Sequence, residues 1–431
     1  MTRTFLIALA LAAVVAAPLQ AQDAAPARFF IERIEVRNAH RVSADLIVSE
    51  SLLRAGAEYT EDELRAASLR LNRLPYLLSA DFALEKGSDR GRHVLVITVA
   101  ETKPFFYFID ARPILNDEQR RTAVDYAGSL GADTSDAAIG YRKFIGRRGV
   151  AHIGITSRRD RQEFTTDYSA PAIGYTQYDL FGTRAFATVN LRWPVEPARN
   201  PTLSPQVVVG IPLTPKHTLT LDYEETRFSR STTFINDAPY TLQDGERIVS
   251  FAWAYNTTNQ PFVPTRGTFV RIAPQWSSRD LASYSRFIMI PGTDRVDAYA
   301  DHFNSYGVDA IAARYFELSD RDSVSATLQA GWTNTEERAN QLLTPQVIRA
   351  QPLYALIGGG WSYNLRPDAA KEAGDSRVEL DAQYVARQGD YDREGQRFVD
   401  LNSDEGMRLS AAWVRRNVWG TLRLGLGYTW K

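Results

Sequence analysis

The sequence predicts an all-β transmembrane barrel, antiparallel and of about 16 strands, preceded by one small α+β domain. Three observations lead there. From residue 105 onward the dominant hydrophobic period is two. No run after the N-terminus approaches the ~18 consecutive apolar residues of a spanning helix. Aromatic residues make up 11% of a chain whose mean hydropathy is only −0.30. A barrel reconciles the last two observations, because alternate residues of each strand face lipid and lumen and half of them can be polar.

The first residues read as a secretory signal over 1–21: Arg3 is the charged start, residues 5–17 are apolar, and Leu19-Gln20-Ala21 is a cleavage site that would leave Gln22 near the mature start. The absence of cysteine excludes disulfides, thiolate metal sites, cysteine nucleophiles and an acylated lipoprotein terminus. With 50 basic and 51 acidic residues, no whole-chain field draws nucleic acid. His40, His93, His152, His217 and His302 are scattered, without HExxH spacing or a nucleophile phrase. No catalytic residue, metal ligand or cofactor site is expected, and the chain reads as a non-enzyme.

Residues 28–103 divide into a strand, two helices and a hairpin. Residues 30–37 mix Ile31, Ile34 and Val36 with charges, as a half-exposed strand does. Ser43 is a helix N-cap, and Gly56 can end that helix. Thr60-Glu61-Asp62-Glu63 is a capping box, followed by Leu64, Ala67, Leu71 and Leu74 on one helical face, with Pro75 as the stop. Residues 76–85 and 93–99 form strands joined by a turn-rich loop, and the unbroken run Val94-Leu95-Val96-Ile97 suggests an inner strand. The phrases IERIEVRNAHRVSADLI, LNRLPYLLSADFALEKG and VLVITVAETKP in this order resemble a POTRA domain. That resemblance implies an exposed edge at residues 76–85, with Tyr76, Leu78, Phe82 and Leu84 as client-edge residues able to accept an extended polypeptide. The alternative is a charge-blocked edge on a domain that only spaces the barrel from its partners.

Residues 105–431 carry the barrel pattern. In 324–333 (VSATLQAGWT) and 378–387 (VELDAQYVAR) apolar and polar residues alternate, and TLTLDYE at 218–224 repeats the division. Trp193, Trp332, Trp413 and Trp430 suit interfacial girdles. Counting runs gives roughly 12 to 16 strands, with the stretch between Asp136 and Tyr178 divisible in more than one way. Polar connections after Asn334 and Gln388 read as extracellular loops, and Asp320-Arg321-Asp322 as a tight periplasmic turn.

Three phrases point more narrowly. The last strand, with Arg423, Gly425, Tyr428 and Trp430, resembles the C-terminal β-signal of outer-membrane barrels. NQPFVPTRGTFVRI at 259–272 resembles a strand-entry turn built on Pro264, Thr265 and Gly267. YALIGGGWSYNLRPD at 354–368 is similar to a loop that folds into the lumen, with Gly359 and Gly360 holding the turn, then Leu365, and Arg366 meeting acidic wall residues such as Glu379 or Asp381; Pro367 and Asp368 stand where the family has a glycine and an aromatic. Together these phrases resemble the BamA/TamA-type (bacterial surface antigen) superfamily of outer-membrane assembly and translocation barrels.

The resemblance implies an outer-membrane protein of a Gram-negative bacterium with a periplasmic N-terminal domain. It implies insertion or translocation of polypeptides through a weak seam between first and last strands, in contact with outer-membrane lipids, unfolded or partner polypeptides and accessory assembly proteins. The other readings are a two-partner-secretion transporter for one dedicated substrate and a simple diffusion pore.

Overall fold

The computed structural model describes residues 27–111, 114–115, 135–159, 167–193, 199–201, 203–235, 238–260, 263–289, 296–333, 353–366, 376–387, 391–394, 397–400 and 404–430. The expected signal segment, most of the connections after Asn334 and Gln388, Pro367, Asp368 and Lys431 lie outside the described residues.

The N-terminal unit is β1 (Arg28–Arg37), α1 (Ala44–Ser51), β2 (Ala57–Thr60), α2 (Glu61–Asn72), β3 (Leu77–Lys86) and β4 (Arg92–Glu101). Local chemistry sets its helix starts. The Ser43 side chain accepts from the Leu46 N–H to open α1, and Thr60 and Glu63 cap each other's backbone at the start of α2. The strand β2 was not expected. Four residues between a helix stop and a helix cap are too few to display a period, yet they pair antiparallel with the start of β1.

The sheet order is β2-β1-β4-β3, with β1 and β4 parallel and β3 at one edge. Val94, Leu95, Val96 and Ile97 on the inner strand β4 are all buried. Leu95 and Ile97, with Ile31, Leu46, Ile47, Leu71 and Leu77, form a core in which each large aliphatic side chain contributes about 1.5–3 kcal/mol by leaving water.

Two charged groups are built into this unit. Glu50 on α1 and Arg70 on α2 pair at 2.7 Å with 2% and 12% side-chain exposure, and burial pushes the Glu50 carboxyl up despite the guanidinium beside it. Glu101, at the end of β4, accepts the backbone N–H groups of His40, Arg41 and Val42 and pairs with Arg41 Nε at 3.1 Å. Burial alone would raise its pKa, but the N–H groups of Val42, Arg41 and His40 outweigh it and hold the carboxyl below its ordinary range.

The barrel comprises β5 (Phe105–Ala111, continued at Ile114–Leu115), β6 (Ser135–Ile145), β7 (Gly149–Arg159), β8 (Asp167–Gln177), β9 (Phe186–Arg192), β10 (Ser204–Pro212, preceded by Arg199–Pro201), β11 (His217–Ile235), β12 (Ala238–Asn256), β13 (Gly267–Met289), β14 (Val296–Glu317), β15 (Asp322–Thr333), β16 (Leu353–Asn364), β17 (Ser376–Arg387), β18 (Asp404–Asn417) and β19 (Gly420–Trp430). A hairpin at Tyr391–Glu394 and Arg397–Asp400 stands apart between β17 and β18.

Among the described residues these are 15 strands in a closed sheet, within the expected 12 to 16. Each pairs antiparallel with its sequence neighbour, and β19 pairs with β5 in parallel. The parallel closure is geometric: with an odd number of alternating strands, the first and last run the same way.

The alternation is the one the sequence implied. Leu380 and Tyr384 are exposed on the outer face, as are Ile139, Ile153, Ile173, Leu221, Ile357 and Leu424 on other strands. Glu379, next to Leu380, turns inward to a buried ion pair. The strands β11 to β14, of 19 to 23 residues, exceed the ~9–11 that cross a bilayer and extend at the end away from the N-terminal unit.

The Glu101 arrangement yields a pH prediction. A carboxyl whose folded pKa is depressed stabilises the fold above its unfolded value and loses that contribution as pH falls through the folded value. Acidification below 4.5, the unperturbed value, should therefore release the amides of His40, Arg41 and Val42 to hydrogen exchange before the rest of the sheet. Glu101→Gln should expose them already at neutral pH. Equal protection of these amides in the variant and the parent would contradict the assignment.

Candidate functional site at the barrel seam

The joint between β5 and β19 is the one parallel pairing among the described strands of the wall. Its described part sets Gly420–Leu424 against Tyr107–Ala111 and, in the same register, Gly427 and Tyr428 against Ile114 and Leu115. The other side of β19 pairs with β18 along its whole length, from Gly420 opposite Asn417 to Trp430 opposite Met407.

Side chains reinforce this joint. Arg423 on β19 reaches Asp110 on β5 at 3.3 Å and Glu379 on β17 at 3.0 Å, and all three side chains are under 20% exposed. At the end near the N-terminal unit, Asn417 Nδ2 donates to the Tyr107 hydroxyl at 2.8 Å, and the Trp419 and Phe105 rings meet edge to face at 6.2 Å. Gly420 brings the two backbones together: its φ of 157° is paired with so close an approach that a Cβ would overlap the Tyr107 carbonyl.

Residues of the expected β-signal divide between the two faces of β19. Arg423 and Gly425 lie on the lumen face; Leu424 and Leu426 are exposed outside, and Tyr428 and Trp430 stack at 5.9 Å. The strand-entry phrase forms the turn before β13. Asn259 Oδ1 accepts from the Thr265 N–H and Asn259 Nδ2 donates to Thr265 Oγ1, while Pro264 is half-buried within the turn. Gly267 has φ 103°, and a side chain there would overlap the Thr257 carbonyl.

The lumen-loop reading of 354–368 is corrected by the strand register. Gly359 and Gly360 lie within β16, opposite Ala326 and Ser325 on β15 and Ala382 and Asp381 on β17, so they hold no turn. Consecutive glycines suggest a turn locally, but ladders on both sides prevail here. Gly360 makes room for the Asp381 carboxylate and the Ser325 hydroxyl beside it. Leu365 and Arg366 are exposed just past the end of β16, where the Arg366 N–H donates to Asn364 Oδ1. The lumen arginine that meets Glu379 is Arg423. Sequence reasoning could have reached it, because strand parity puts Arg423, Glu379 and Asp110 on inward faces.

The N-terminal unit docks against the same end of the barrel through arginines aimed at main-chain carbonyls. Arg73, capping α2, donates to Thr258 O at 3.1 Å and Pro215 O at 3.0 Å, and burial, with Arg70 close by, lowers its pKa to about 9. Arg142 on β6 donates to Pro75 O at 2.8 Å. Arg416, from the last hairpin, reaches Leu77 O at 3.3 Å and Gln260 Oε1 at 3.1 Å. Tyr76 is 2% exposed and meets Phe144 and Tyr178 edge to face at 5.4 and 6.0 Å.

Tyr76 and Leu78 are therefore committed to this junction rather than open to a client, because both side chains are buried. Further along the edge of β3, Asn72 and Ser68 on α2 hydrogen-bond the N–H and C=O of Ala80. By the alternation of an antiparallel strand, the next outward backbone groups are those of Phe82, Leu84 and Lys86. Leu84 is 38% exposed.

A closed sheet with an apolar exterior, a charged lumen and a four-stranded α+β unit at one mouth defines an outer-membrane β-barrel protein. Residues 146–345 match the model of the Omp85 superfamily domain. No curated protein matches the chain. Among solved structures, BamA from Haemophilus ducreyi lacking POTRA domains 1–3 is similar at 12% identity and TM-score 0.42, covering 94% of this chain and 81% of that one. CdiB from Acinetobacter baumannii is similar at 8% identity and TM-score 0.44, covering 90% and 60%. CdiB from Escherichia coli gives 10% identity and TM-score 0.39, covering 97% and 90%.

Two predictions follow from the geometry of the seam and the junction. Arg423→Ala strands Asp110 and Glu379 in a poorly solvated lumen, a change of order 3 kcal/mol for a buried pair broken on one side. The temperature at which the folded, fast-migrating gel form disappears should drop, and Gly420→Val should lower it further; an unchanged transition in both would refute the seam assignment. At the junction, Arg73→Ala removes two charge-assisted bonds of roughly 1.5–3 kcal/mol each. Tryptic cleavage after Lys103 should accelerate while the barrel's heat-modifiable mobility persists.

Proposed function

We propose that this chain inserts polypeptides into the outer membrane or passes them across it, with residues 28–103 as a periplasmic POTRA domain that receives extended polypeptide. The parallel seam between β5 and β19 is the observation that carries the reading. A parallel ladder is somewhat weaker per residue than an antiparallel one. Opening here exposes two strand edges at once, and an exposed edge templates an incoming strand.

The POTRA edge supplies the first contact. A client strand adds along 82–86, where Phe82 and Leu84 offer apolar side chains, because the outward groups nearer the barrel are already held by Arg416, Asn72 and Ser68. Arg423, Gly425, Tyr428 and Trp430 act as the chain's own β-signal, which its assembly partners recognise. Pro264, Thr265 and Gly267 fix the turn against which Arg73 rests through Thr258. Export rests on the signal segment 1–21. The chain acts without catalysis, as assembly and transport factors of this superfamily do.

Dedicated export of one secreted partner uses the same edge and seam and differs only in the client. A steady diffusion pore is disfavoured by the seating of the N-terminal unit at one mouth, through Arg73, Arg142, Arg416 and Tyr76.

The cysteine-free chain permits a direct test. Phe108 and Thr421 are register partners across the seam, close enough for a disulfide if both are replaced by cysteine. The oxidised Phe108→Cys/Thr421→Cys protein should lose client accumulation in the outer membrane, and reductant should restore it. Full activity of the locked protein would sink the seam mechanism; a large ungated conductance in planar bilayers would favour the pore.

A further inference from the structure

We infer that a cleft at the foot of β5 and β6 binds an anionic membrane phospholipid through its phosphate headgroup. The cleft, about 190 Å³, lies where the link Thr102-Lys103-Pro104 leaves the N-terminal unit and passes beneath the end of β6. Four cationic residues line it: Arg41, Lys103, Arg142 and Lys143. Two of these are already engaged, Arg41 by Glu101 and Arg142 by the Pro75 carbonyl. The ammonium groups of Lys103 and Lys143 meet no carboxylate among the described residues, and both side chains are exposed.

The second observation concerns Thr102, which lines the cleft: its hydroxyl is buried and has no hydrogen-bond partner among the described residues. A buried hydroxyl without a partner is costly and invites an acceptor such as a phosphate oxygen.

Position selects the occupant. On β6 the residues Ile139, Tyr141 and Ile145 are 46%, 50% and 48% exposed on the outer face, and Lys143 lies on that same face between Tyr141 and Ile145. An apolar strip that leads through Ile139 and an aromatic to a lysine matches a lipid lying along the wall, with acyl chains against Ile139 and a headgroup at Lys143. Free phosphate would use the two lysines and the Thr102 hydroxyl but gain nothing from the strip. The ligand is thus a phospholipid of the leaflet on the side of the N-terminal unit. It borders β5, one strand of the seam.

The test uses the full-length folded protein in detergent micelles doped with phosphatidylglycerol or phosphatidylethanolamine, read by native mass spectrometry. Phosphatidylglycerol should be retained preferentially. Each of Lys103→Gln and Lys143→Gln should weaken its retention about fivefold, the electrostatic contribution of one lysine at an anionic surface. The Lys→Arg pair should keep it, and this pair preserves a test even where the Gln variants fold poorly, since loss of the preference in Lys→Arg would count against the site. Equal retention of the two lipids, an undiminished preference in the double Gln variant, or displacement by glycerol phosphate as effective as by phosphatidylglycerol would overturn the inference. Lipid retention is read without any client, so its failure leaves the insertion reading intact.

Discussion

In hydrocarbon every backbone N–H and C=O must find its partner inside the protein, and this chain meets that demand with fifteen strands among the described residues. The odd number leaves one joint that cannot be antiparallel. Every other described ladder of the wall is an antiparallel pair of neighbours in sequence, whereas β5 and β19 come from opposite ends of the barrel sequence. The joint lacks a connecting turn, and its pairing is parallel. The wall accordingly concentrates other interactions there: an inward arginine between two carboxylates, an asparagine-to-tyrosine bond, and a glycine that permits close backbone approach.

The N-terminal unit is joined to this weak point rather than merely adjacent to it. The strand β4 runs through Glu101 into Thr102-Lys103-Pro104 and then directly into β5, and the Lys103 N–H bonds to Val418 O in the last hairpin. Arg416 extends from that hairpin to the carbonyls at the start of the edge strand β3. Docking through main-chain carbonyls fixes position with charge-assisted bonds that do not depend on a partner's side chain. A displacement of β3 is thereby felt at the strand that closes the barrel.

How much of this the sequence disclosed depends on the range of the interaction. Helix starts at Ser43 and Thr60 are local hydrogen-bond chemistry and were legible, as was the inward run Val94–Ile97. The outward and inward faces of the barrel strands followed from a period of two, which a lipid-lumen wall imposes at every step. Strand parity was not legible, since a miscount by one changes no local pattern. The run Gly358-Gly359-Gly360 suggests a turn until neighbouring ladders are known, and only tertiary register shows it as wall. Tyr76 misled for a related reason. Its place ahead of an edge strand was visible, but not the barrel mouth formed by Phe144 and Tyr178, which lie 68 and 102 residues later.

The edge of β3 and the seam are the two places where strand edges are open or easily opened, and the distance between them constrains the client. The start of β3 is held by Arg416, while the first outward groups left open belong to Phe82, four residues beyond Leu78. At ~3.3 Å per residue, a strand added along 82–86 sits about 13–26 Å up the sheet from the barrel mouth. A client bound there reaches the seam only if its chain continues past the added strand for roughly another four to eight extended residues. Short peptides can occupy the edge without engaging β5 or β19. The geometry therefore separates capture from insertion, and only a segment long enough to lie on both edges couples the two.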